Sequence, residues 1–122
     1  MKLLETNLWD LVVKRSETSP DIEMLVDEQG RRMTFAEYRY AAEEMAAGFH
    51  TLGLRKGNVV AWELPTWNET VVLAAALSRL GATQNPIIAI YREREVGFCV
   101  RQAQASFLIT PKPRSSSPIP LL

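Results

Sequence analysis

From Val59 to Thr110, short extended apolar segments alternate with longer helical ones, and this order limits the folds open to the chain. Val59-Val60-Ala61-Trp62, introduced by Lys56-Gly57-Asn58 and ended by Pro65, reads as a buried strand. Thr66-Trp67-Asn68-Glu69 has the pattern of a capping box, in which Thr and Glu side chains satisfy N–H groups left free at a helix start. Val71 to Leu80 is apolar nearly all round, apart from Ser78 and Arg79, so it predicts a helix covered on most sides and stopped at Gly81. Ala82 to Asn85 is a short strand closed by Pro86, and Ile87, Ile88 and Ile90 continue in extended or loop form. Arg92-Glu93-Arg94-Glu95 opens a further helix with Val96, Val100 and Ala103 on one face, and Phe107 to Thr110 is a last strand. Strand, helix, strand, helix, strand predicts a parallel sheet with right-handed crossovers.

The residues before Val59 add a helix and a hairpin. Leu8, Leu11 and Val12 recur at helical spacing, with Thr6 or Asn7 as the cap and Ser16 to Pro20 as the break. Met24 to Val26 and Arg31 to Thr34 flank a polar turn holding Gly30, which is a hairpin pattern. Thr34-Phe35-Ala36-Glu37 is a capping box, and Met33 and Tyr38 sit where a hydrophobic staple would place them. Tyr38, Ala41, Ala42, Met45, Phe49 and Leu52 then trace one helical face, ended by Gly53. The expectation is an α/β domain over 1–110: an N-terminal helix and β-hairpin, then a β-α-β-α-β parallel-sheet unit. The tail 111–122 holds four of the seven prolines plus Ser115-Ser116-Ser117 and is expected to be disordered. The composition changes just after a strand and before any covering helix, which reads as a truncation.

Charge and composition exclude several functions. Lys+Arg and Asp+Glu are both 14, with no long basic run, which argues against electrostatic binding of nucleic acid or anionic membrane. The lone Cys99 cannot form an internal disulfide and fits a reducing compartment. Glu5 and Asp10 interrupt any signal-peptide apolar region, and Val71 to Leu77 is far too short to span a bilayer. A cytoplasmic chain without a membrane span is expected.

The search for chemistry yields no catalytic, cofactor-binding or metal-ligating residue. Neither G-x-x-x-x-G-K-[ST] nor G-x-G-x-x-G occurs, so no recognised phosphate cradle is present. One His and one Cys make a Cys/His metal site implausible. His50 reads as a surface residue and Cys99 as a packing residue, because neither has a nameable partner that would activate it. Arg92 to Glu95 reads as a solvated helix start. Trp67 and Tyr91 deserve weighing, since Leu64 to Trp67 and Asn85 to Ile87 lie at strand carboxyl ends, where open parallel sheets bind ligands. A turn, a helix cap and an aromatic cover explain them as well.

Several strings in order carry a resemblance. Met33-Thr34-Phe35-Ala36-Glu37-Tyr38 resembles the T-[YF]-x-E-L opening of the adenylate-forming superfamily. Leu52-Gly53-Leu54-Arg55-Lys56-Gly57-Asn58-Val59-Val60-Ala61 resembles its L-G-V-x-x-G-D-x-V-A. Leu64 to Trp67 and Leu80 to Pro86 sit where that family has L-P-N-[ST] and x-G-A-V-x-x-P. Trp62 to Trp67, Gln84 to Ile88 and Ile90 to Glu95 look like a subset of cyclohexanecarboxylate or medium-chain acyl-CoA ligases. The resemblance runs from about Leu8 to Ile109. It implies the N-terminal piece of an AMP-forming acyl-CoA synthetase, whose complete form converts carboxylate, ATP and CoA to acyl-CoA, AMP and pyrophosphate with Mg²⁺. The family's phosphate loop, adenine and Mg²⁺ motifs and catalytic Lys lie beyond the matched part, so none maps onto this sequence. Asn58 in place of Asp, and Thr66-Trp67 in place of an Asn-Ser type pair, fall at structural positions.

The sequence therefore predicts a truncated ligase segment, fatty-acid-metabolism type, that is inactive alone and binds no cofactor by itself. A stand-alone interaction or regulatory module and an unrelated small-ligand-binding α/β domain are the alternatives. The expected partners are the missing remainder of the enzyme or a second copy, through apolar surface on Val71 to Leu80.

Overall fold

The computed structural model describes residues 7–111; the candidate cap Thr6 and the tail from Lys112 onward lie outside them. Helix α1 spans Leu8–Thr18 and is capped by Asn7, whose side chain accepts from the Asp10 N–H at 2.9 Å. Its inward face is Trp9, Val12 and Ser16, while Leu8 and Leu11 are exposed, so the helix is rotated from the face the spacing of leucines predicts. Trp9 sets that rotation. Its backbone N–H donates to Ser78 Oγ at 3.1 Å and the Arg79 guanidinium covers its ring at 5.3 Å. The helix also continues past Ser16 to Thr18, with the Ser16 and Thr18 hydroxyls donating back to the Val13 and Lys14 carbonyls within it.

Strands β1 (Glu23–Val26) and β2 (Arg32–Thr34) pair antiparallel as the predicted hairpin. Gly30 turns the chain at φ +80°, a left-handed value that glycine adopts without steric cost. The Asp27 carboxylate accepts from the Gln29 and Arg31 backbone N–H groups and fixes the turn. Helix α2 (Phe35–Thr51) opens with the predicted capping box: Glu37 N–H donates to Thr34 Oγ1, and Thr34 N–H to Glu37 Oε1. Met33 packs on the cluster that holds Tyr38, Ala42 and Ala46, as the staple requires. Leu52 leaves the predicted face and is 73% exposed, because the chain turns at Gly53 and buries Leu54 instead.

Strands β3 (Val59–Trp62), β4 (Thr83–Pro86) and β5 (Phe107–Ile109) form one parallel sheet in the order β4-β3-β5. Helix α3 (Asn68–Leu80) links β3 to β4, and helix α4 (Glu93–Ala103) links β4 to β5 on the far side of β3. The two crossovers run in opposite directions, so a single handedness places α3 and α4 on opposite faces. Strand alternation confirms it. Val60 and Phe107 pack with Leu73 and Leu77 of α3, whereas Ala61 and Leu108 pack with Val96 of α4. Leu54, Leu77, Val60 and Val96 are the largest fully buried side chains, each contributing about 1.5–3 kcal/mol by transfer from water.

Two expectations fail here. The second capping box does not form: the N-cap of α3 is Trp67, with no side-chain cap bond, and Thr66 lies outside the helix. Glu69, which would have to reach back, is held by the Arg31 guanidinium at 2.7 Å, while Thr70 Oγ1 donates to the Pro65 carbonyl at 2.6 Å. Nor does α3 leave more than its edge at the rim, around Leu73, for a missing segment to cover. Its apolar side chains are buried or half-buried under α1, α2 and the sheet. The large exposed apolar residues beyond β4 are Ile88, Ile90, Tyr91 and Phe98, around the start and outer face of α4.

Candidate binding rim at the strand ends

At the carboxyl ends of β3 and β5, side chains gather around a cavity on the α3 side. It measures about 460 Å³ and is walled by Met45, Phe49, Leu64, Trp67, Leu73 and Ile109, with Glu69, Thr70, Thr110 and Pro111 also in its lining. β3 ends at Trp62, Leu64 just beyond it packs on the Leu73 and Leu77 side, and Trp67, the N-cap of α3, lines the opening at 41% exposure. The walls are almost wholly apolar. This arrangement can exclude water and hold an apolar group or an apolar segment of chain; the Glu69 carboxylate in its lining is engaged by the Arg31 guanidinium.

The α4 side of the same rim has a different chemistry. Glu63 follows β3 directly, and its N–H donates to the Ile109 carbonyl at 2.9 Å. Trp62 packs with the α3-side cluster, so alternation turns Glu63 to the other face. Its Oε2 is out of contact with solvent and has no hydrogen-bond partner among the described residues. Burial raises its pKa from the usual carboxylate value, and the positive charge of Arg92 partly offsets that. Glu63 was not among the residues weighed as candidates from the sequence. The available signal was a carboxylate immediately following an apolar strand, at the end where ligands bind.

The other residues weighed from the sequence are dispersed. Trp67 lines the rim cavity, but Tyr91 lies on the α4 side beside Arg94, Phe98 and Arg101. Ile87 is buried in the core and donates to the Trp62 carbonyl, so the end of β4 contributes no wall to the cavity. His50 is exposed in the last turn of α2. Cys99 is half-buried against the Ala61, Ile87 and Val96 cluster, a packing position. Among the described residues no group of three or more His, Cys, Asp and Glu side chains could hold a metal ion. No helix among them is long and apolar enough to cross a membrane.

The donor set does not fit the phosphates of a nucleotide. Such a site needs cations and N–H groups preorganised around charged oxygens. Here the cavity presents an apolar wall with Glu69 in the first turn of α3, and on the α4 side Glu63 faces the single positive charge of Arg92.

Residues 12–121 match the family described as "AMP-binding enzyme". The chain belongs to this family of AMP-binding enzymes. It is 27% identical over 107 residues to a medium-chain fatty-acid–CoA ligase of Escherichia coli, covering 88% of this chain and 19% of that protein. It is 32% identical over 96 residues to a mitochondrial medium-chain acyl-CoA ligase of Danio rerio, covering 78% and 16%. Among solved structures it superposes on the N-terminal subdomain of Klebsiella oxytoca NpsA in complex with anthranilyl-AMSN. That match has a TM-score of 0.84 and 26% identity, and covers 90% of this chain and 29% of the other. The chain therefore spans about a fifth of the length of these curated relatives. The expected N-terminal adenylate-forming fold and the kinship with medium-chain acyl-CoA ligases hold, and the reading as an unrelated ligand-binding domain falls.

Proposed function

We propose that this chain is a scaffold segment of an AMP-forming acyl-CoA ligase and performs no acyl activation by itself. The complete reaction joins a carboxylate to CoA with cleavage of ATP to AMP and pyrophosphate, and uses Mg²⁺. The observation that carries the reading is the make-up of the rim. At the strand ends, where this architecture binds ligands, the chain supplies an apolar wall of Leu64, Trp67 and Ile109 and the carboxylate of Glu63. A wall of that kind supports a pocket completed by other residues, and a carboxylate repels the phosphates that activation must hold.

The test is pyrophosphate release with ATP, Mg²⁺, CoA and a panel of carboxylates that includes medium-chain acids. The expected result is no release above the protein-free blank. Turnover that scales with the concentration of this chain would refute the proposal. A second reading, an interaction module, is favoured by the apolar residues around α4 and leads to the next inference.

A further inference from the structure

Helix α4 turns Val96, Val100 and Cys99 to the sheet and leaves its opposite side open. On that open side Phe98 is 59% exposed at the midpoint of Glu93–Ala103, with Gly97 beside it carrying no side chain. Tyr91, Arg94, Glu95, Phe98 and Arg101 share one shallow concavity. The Arg101 guanidinium folds back towards Gly97, with Nη1 3.1 Å from the point a Cβ there would occupy, so it lies close to Phe98. Ile88 and Ile90, 58% and 78% exposed, extend the apolar area along the loop before α4. A clustered apolar patch rimmed by charge marks an interaction surface.

The order of charges along the helix says what fits that surface. About a two-fold axis through Phe98, an antiparallel copy of α4 sets each residue opposite the one equally far on the other side of position 98. Glu95 then faces Arg101 of the second copy, and Arg101 faces its Glu95. Arg94 faces Gln102 and Tyr91 faces Ala105, so no like charges meet. Phe98 packs on its own equivalent at the centre, beside the Arg101 guanidinium that lies over Gly97. We infer that α4 is the interface of a homodimer of this chain, antiparallel and centred on Phe98. The inference concerns the chain as a protein and stands whether or not the ligase reading does.

Sedimentation equilibrium of the 122-residue chain over a range of concentrations tests it. The wild type should pass from monomer to a dimer plateau. Phe98→Asp, with its fold checked by circular dichroism, should weaken association by at least about tenfold, the effect of removing a central anchor. Glu95→Arg and Arg101→Glu should each be monomeric alone, because each homodimer would pair like charges. Mixed together they should dimerise, because the heterodimer restores two opposite-charge pairs. A wild type that stays monomeric, as it would if this face takes another partner, overturns the inference. So does growth past dimer without a plateau, a Phe98→Asp dimer of wild-type strength, or a mixture that fails to associate.

Discussion

On one face of the sheet, α3 buries six residues and is itself backed by α1 and α2; on the other, α4 buries only Val96 and no second helical layer among the described residues stands behind it. The same three strands thus have a thick side and a thin side. The difference lies in sequence composition. Val71 to Leu77 supplies apolar side chains around the whole helix, so neighbours can pack on it from several directions. Glu93 to Ala103 supplies one inward stripe and an outer face that mixes charges with Phe98. A helix of the first kind fixes the core, and a helix of the second kind remains open to association.

Leu77→Ala should give the largest effect, about 2–5 kcal/mol in denaturant midpoint and slope analysis, because a fully buried side chain leaves a cavity between α3 and the sheet. A loss under 1 kcal/mol, roughly the scale of a surface change, would break the comparison on its thick side. Tyr38→Phe comes next. Tyr38 donates its hydroxyl to the Val71 carbonyl at 3.0 Å, joining α2 to α3, and the loss should be about 1 kcal/mol. Burial raises the Tyr38 pKa above its ordinary value of 10.0, so the folded state favours the neutral phenol. That contribution is fully present below pH 10.0 and is lost as pH rises through the folded value. Alkaline denaturation should therefore begin at higher pH in Tyr38→Phe than in the wild type, relative to the stability of each at neutral pH.

On the thin side the expected effects are smaller. Glu63→Gln should gain stability relative to the wild type as pH rises from below the ordinary value of 4.5 towards neutrality. The sign follows from the raised pKa: protonation of Glu63 favours folding, and that advantage is lost as pH climbs through the folded value. Equal pH profiles for the two proteins would show that Oε2 is well solvated after all. Phe98→Ala, measured at a concentration where the chain is monomeric, should change stability by no more than about 0.5 kcal/mol, as exposed positions do. If it costs as much as Leu77→Ala, α4 is better covered than its exposure shows.

Legibility of the sequence followed the same division. Every strand and helix is present near its predicted place, because apolar periodicity, Gly53, Gly81 and the Thr34–Glu37 box are local signals. The misses were set by distant partners. Thr66 lost its capping role because Glu69 pairs with Arg31, 38 residues earlier in the chain. The face of α1 followed Trp9, whose neighbours Ser78 and Arg79 lie on α3. The location of open apolar surface was misread for the same reason: cover is a property of the assembled layers, and α3 is covered by elements that its own sequence does not name. At the rim, Trp67 was found by position at a strand end, whereas Glu63 needed the burial of one oxygen atom to stand out.

Strand order has one more consequence. β4 and β5 are the two margins of the sheet, and each leaves a row of backbone groups without a neighbour among the described strands. In β4 the N–H groups of Thr83 and Ile87 point inward to Asn58 and Trp62, so alternation turns position 86 outward. Proline occupies it and has no hydrogen to give. In β5 the Ile109 carbonyl accepts from the Glu63 N–H, so Ile109 faces β3 and alternation turns the Leu108 amide outward with its donor intact. Growth of this sheet by another strand is therefore blunted at one border and templated at the other.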